Sequence, residues 1–160
     1  MNPQKTSKII DEKAARVKAE HYCAYQERSQ QEVRDKLYEW GLHSNAVENI
    51  IVALIGDNFL NEERFAKAYT QGKFKQKGWG KIKIKQGLKL KKVPDVLIKK
   101  ALLTIAYDDY LQMLEKILIK KAGVLSEKDP YKRKYKLQQY AFSRGYEGDL
   151  AADVLNELVN

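Results

Sequence analysis

The stretch 33–54, VRDKLYEWGLHSNAVENIIVAL, returns twice in altered form further along the chain. Displacing it by 51 residues lays Val33, Leu37, Leu42, Val47, Ile51 and Leu54 on Ile84, Leu88, Val93, Ile98, Leu102 and Ile105. A further 53 residues lays that second set on Leu137, Ala141, Tyr146, Ala151, Leu155 and Leu158. Every matched position is apolar in all three copies. Helical periodicity explains agreement within one helix, but it does not set the phase across the turn into the next. The copies therefore describe one repeated unit, two helices joined by a short turn behind a first helix, much like a helix-turn-helix domain. Gly41 and Gly145 coincide at the turn, where the middle copy has Lys92.

Outward from these segments, apolar residues recur at three and four, and glycine and proline are scarce, which predicts helices throughout. The spacing places them at about 11–27, 30–40, 45–55, 62–75, 80–91, 95–105, 107–121, 130–144 and 148–158. Ser29 with Glu32 reads as a capping box, Asn61 as a cap for the fourth helix, and Asp129 before Pro130 as a helix opening. Only 81–85, KIKIK, alternates like a strand, and the flanking helical pattern outweighs it. The expected fold class is all-α, with three tandem three-helix repeats at 11–57, 58–106 and 107–160 after a polar extension at 1–10. Stacked repeats of this kind form an elongated, curved array, and a monomer is expected.

With 160 residues and an apolar share of 44%, the chain can bury a real core. No apolar run approaches the roughly 20 residues that span a bilayer, and the polar first eight residues lack a secretory signal. A cytoplasmic protein with no membrane partner is expected. Cys23 is the single cysteine, accompanied by only two histidines, His21 and His43. Structural zinc usually needs four ligands at characteristic spacings, so these three read as ordinary helix positions. Asp57, Glu62, Glu63, Asp108 and Asp109 stand at helix openings, where carboxylates complement the helix dipole. No phosphate-binding glycine loop or nucleophile elbow occurs. Neither an enzyme nor a cofactor is expected.

Charge is distributed less evenly. Lysine and arginine exceed the acids by 30 to 21, a net charge of +9. Lys73, Lys75, Lys77, Lys81, Lys83, Lys85, Lys89, Lys91, Lys92, Lys99 and Lys100 face one acid, Asp95, so 73–100 carries +10 and the rest of the chain about −1. A block of one sign repels itself, and a polyanionic partner relieves that repulsion. Lys81, Lys85 and Lys89 form a ridge at i, i+4, while Ile84 and Leu88 turn to the core. Trp79 and Leu90 fall away from the core face, toward a neighbouring repeat or a partner. Lys132, Arg133, Lys134 and Lys136 form a second basic patch. The lysines of the block and the four cations of this patch are candidate nucleic-acid or filament contacts.

Residues 24–37 (AYQERSQQEVRDKL) and 59–69 (FLNEERFAKAY), together with Gly78, Ile84, Leu88, Lys91 and Val93, resemble the signatures of the RecX regulatory proteins of bacteria. Glu62 stands where that family usually has Asp, and Lys92-Val93 replaces its Gly-Ile. Arg64, inside the second signature, joins the candidate contacts. The resemblance implies a modulator, mostly an inhibitor, of the RecA recombinase, lying along the groove of the RecA filament on single-stranded DNA. It also implies three-helix repeats and no cofactor. Double-stranded DNA is a further candidate ligand. A rival reading is a DNA-binding protein or transcription factor that acts without RecA. Base readout favours arginine's planar fork, however, and the block is all lysine. A scaffold for an acidic protein is a third.

Overall fold

The computed structural model describes residues 11–159, so the expected extension at 1–10 lies outside the described residues. Nine helices and no strand are found among them: α1 (Glu12–Tyr25), α2 (Gln30–Glu39), α3 (Ser44–Gly56), α4 (Glu62–Lys77), α5 (Lys81–Leu90), α6 (Asp95–Leu102), α7 (Tyr107–Val124), α8 (Pro130–Ser143) and α9 (Gly148–Val159). KIKIK lies in α5 as a helix. The anticipated caps form. Ser29 Oγ accepts from Glu32 N at 3.0 Å, Asn61 Oδ1 from Arg64 N at 2.9 Å, and Asp129 from the amides of Tyr131 and Lys132. Each satisfies an amide that the first helical turn leaves without a partner.

Two helices end more than one residue earlier than their apolar pattern suggests, and side chains explain both. Arg28 Nε donates to Tyr22 O at 3.0 Å, and its guanidinium lies over the Tyr22 ring at 3.8 Å, closing α1 at Tyr25. Thr104 Oγ1 donates to Ala101 O at 2.6 Å and accepts from Gln71 Nε2 at 2.8 Å, closing α6 at Leu102. α7 runs on to Val124, and Arg133 covers the carbonyls around its end, donating to Ala122 O, Leu125 O and Glu127 O.

The chain divides into two compact units. The first comprises 11–66 with the turn Lys91–Val93. Its core stacks Ala15, Ala19 and Cys23 of α1 on Val33 and Leu37 of α2 and on Val47, Ile50, Ile51 and Leu54 of α3. The small i, i+4 row on α1 lets backbones approach closely. The second unit comprises Lys67–Leu90 and 94–159, and buries Phe74, Ile84, Leu88, Ile98, Tyr110, Leu114, Leu118, Leu137, Tyr146 and Leu155.

Within this second unit the α4–α5 turn is tied to the α8–α9 turn. Gly80 N donates to Arg144 O at 2.8 Å, Ile82 N to Gly145 O at 2.9 Å, and Tyr146 Oη to Gly78 O at 2.9 Å. Gly145 has φ +94°, and a Cβ on Gly80 would stand 2.3 Å from the Gly145 carbonyl. No larger residue fits that crossing. Tyr146 stacks on Tyr110 with ring centroids 5.0 Å apart, and Phe74 meets Tyr110 at a tilt at 6.1 Å, an aromatic cluster in the same unit.

The repeat alignment holds in the core with two exceptions. Leu102 is half-buried, because α6 ends there and Ala101 takes the core position, and Leu158 is 39% exposed in the last turn of α9. The turn is also retained. Leu42 N donates to Leu37 O and Tyr146 N to Ala141 O, the same i to i−5 bond, with Gly41 and Gly145 both left-handed. Lys92 occupies the matching place at φ +58°.

Candidate nucleic-acid interface

The basic block is carried by α4, α5 and α6 and the turns between them. Lys75, Lys77, Lys85, Lys89, Lys99 and Lys100 are exposed in the second unit. Lys85 and Lys99 share a groove of about 280 Å3 with Asp95, Ile98 and Leu102, which sets the single acid of the block beside two of its cations. Lys81 is half-buried and its ammonium lies 5.0 Å from the Tyr110 ring centre. The Tyr110 hydroxyl accepts from Lys81 N at 3.0 Å and donates to Glu147 at 2.7 Å, standing in for an N-cap of α5. Burial, above all, raises the Tyr110 and Tyr146 hydroxyls well beyond the ordinary tyrosine range, so both remain protonated donors.

Lys91 and Lys92 belong to the first unit, where Lys91 Nζ pairs with Glu32 at 2.6 Å and Lys92 is exposed on its turn. Arg64 is turned onto its own unit. Its guanidinium bonds Glu27 at 2.5 Å and Asn58 Oδ1, Asn58 O and Phe59 O at 3.1 to 3.4 Å, lacing the α3–α4 loop to the segment before α2. Arg133 is committed to the end of α7, Lys134 bonds Asn156, and Lys136 pairs with Glu127 at 3.4 Å, leaving Lys132 exposed near the start of α8. Glu62 is half-buried beside the Gln30 amide, and burial raises its carboxyl. His21 and His43 are exposed and Cys23 is buried, and among the described residues no three His, Cys, Asp or Glu side chains are grouped as metal ligands would be.

Trp79 is the residue that position along the chain left unassigned. Its half-buried ring has Lys83 Nζ at 4.7 Å and Lys73 Nζ at 4.9 Å, and Lys73 Nζ is also 5.5 Å from the Tyr69 ring. Leu90, which shared Trp79's position off the core face, is 84% exposed.

Three family models cover the chain in order: the first three-helix domain of RecX over residues 15–54, the second over 61–102 and the third over 108–155. A regulatory protein RecX from Prosthecochloris aestuarii is 30% identical over 149 residues, which make up 93% of this chain and 96% of that one. This chain belongs to the RecX family. Regulatory proteins RecX from Bacillus licheniformis and Clostridium perfringens are 33% and 31% identical over 88% and 83% of this chain. Here the chain spans only 53% and 63% of the relatives' own length. The crystal structure of RecX from Lactobacillus salivarius superposes with a TM-score of 0.83 at 24% identity, covering 92% of this chain and 96% of that one, which shows a common fold. Within this RecX frame the whole lysine block and Arg64 fall inside the second domain, and the α8 patch inside the third. Among the described residues no helix is long and apolar enough to cross a membrane.

Proposed function

We propose that this RecX-family protein binds RecA and its filament on single-stranded DNA and restrains the recombinase, ATPase and coprotease activities of RecA. The observation that carries the reading is the concentration of lysines in the second RecX domain, 61–102. Lysines are point charges suited to the phosphate backbone rather than to base edges, and a filament filled with single-stranded DNA offers phosphate at regular intervals. No catalytic step and no cofactor enters the proposal.

Filter binding of single-stranded DNA, with and without RecA and ATP, tests it together with RecA's DNA-dependent ATP hydrolysis. The protein alone is expected to hydrolyse nothing and, when added to RecA, to suppress hydrolysis and strand exchange. Unchanged RecA activity at saturating protein would overturn the reading. DNA binding that is indifferent to RecA would instead favour a DNA-binding protein acting alone.

A further inference from the structure

We infer that Trp79 is a stacking platform for an unpaired nucleobase, with Lys73 and Lys83 placed for the adjoining phosphate, so that this surface prefers single-stranded over double-stranded nucleic acid. The inference rests on the nucleic-acid part of the proposed function and adds to it a base contact and a strand preference.

Trp79 lies outside the aromatic cluster of Phe74, Tyr110 and Tyr146. It follows Gly78, whose φ is +65°, and its own amide donates to Lys73 O at 3.1 Å. The backbone is pinned on both sides of it. Gly78 O accepts from Tyr146 Oη, Lys77 O from Arg144, and Gly80 N donates to Arg144 O. A half-buried ring on a segment held this way has fewer orientations open to it before any ligand arrives, which lowers the ordering cost of binding.

Its two ammonium neighbours identify the ligand. At 4.7 and 4.9 Å from the ring, both lie within cation–π range, yet their like charges repel one another. A nucleotide answers both features at once: its base takes the place of an ammonium group on the indole face, and its phosphate draws the displaced lysines together beside the ring. An acidic peptide would satisfy the lysines and gain nothing from the ring, and a cationic side chain stacking on the indole would meet two positive charges. Bases in a duplex are stacked on one another and withhold their faces, so the platform acts only on unpaired bases.

The test uses the full chain carrying Trp40→Phe, which leaves Trp79 as the only one of the two tryptophans. Oligothymidylate should quench Trp79 emission to saturation, and a hairpin duplex with the same number of phosphates should not. Trp79→Ala should weaken single-strand binding by about 5- to 150-fold, the range of one lost base stack. Duplex affinity and the salt dependence should stay unchanged, because no phosphate contact is removed. Trp79→Phe should restore most of the loss. If Trp79→Ala fails to fold by circular dichroism, the fluorescence titration decides alone. Equal losses on both DNA forms, emission indifferent to oligothymidylate, or quenching by polyglutamate instead would overturn the inference. Failure of the unaltered protein to bind either DNA would overturn the DNA-binding reading as well, whereas binding with a silent Trp79 removes only the stacking platform.

Discussion

Lys92 holds a left-handed φ of +58° where the first and third repeats place Gly41 and Gly145. That conformation costs a non-glycine residue about 1–2 kcal/mol, partly offset because glycine loses more freedom on folding, by about 0.5–1 kcal/mol. Lys92→Gly should therefore raise the unfolding free energy by roughly 0.5–1 kcal/mol. Urea titration checks it, and a lower midpoint at unchanged slope would show that the lysine side chain contributes more than its backbone costs. Cys23 makes a second case at this scale. Burial, opposed by the nearby Arg28, pushes its thiol from 9.0 to about 11. The thiolate is the reactive form, so a disulfide reagent at pH 8 should label the folded protein slowly and the urea-unfolded protein at the ordinary rate. The folded value is the raised one, so this group's contribution to stability is complete below pH 9 and fades as pH rises from 9 towards 11.

Among the elements, helix starts were legible throughout, whereas the ends of α1, α6 and α7 were not. Ser29, Asn61 and Asp129 cap through bonds to amides two or three residues on, so local sequence carries the signal. The ends of α1 and α6 depend on Arg28 folding back onto Tyr22 and on Gln71 reaching Thr104 from 33 positions away, which no periodicity records. The repeat phase located the core correctly except at the last turns, where Leu102 and Leu158 slip outward as their helices finish. This separates two leucines of equal chemistry. Leu88, fully buried in α5, should cost about 2–5 kcal/mol on replacement by Ala, and half-buried Leu102 distinctly less. Equal losses in thermal or urea unfolding would show that the α6 end is packed as tightly as the α5 face.

For the whole molecule, the net charge of +9 and its location were plain from residue order, because counting lysines needs no geometry. Where each cation points was not. Arg64 and Arg133 look like members of basic patches, yet both guanidinium groups are bonded to carbonyls of the fold, and Trp79 stands out only when two lysines are found against its ring. The ridge Lys81, Lys85 and Lys89 remains the place to ask whether the block binds phosphate. Lys85 and Lys89 are exposed, and Lys81 leans toward Tyr110. If Z lysines neutralise phosphates of single-stranded DNA, affinity falls with salt at a log–log slope near −0.7Z. Changing all three to Gln should flatten that slope by about 2 if each makes a contact, and by about 1.4 if Lys81 stays with its ring. The fold should survive, since Ile84 and Leu88 hold the opposite, buried face and glutamine is nearly as good a helix former as lysine. Binding isotherms at four or more salt concentrations read the slope directly. An unaltered slope and affinity in the folded triple variant would make this ridge a solvated face and move the DNA contact away from it.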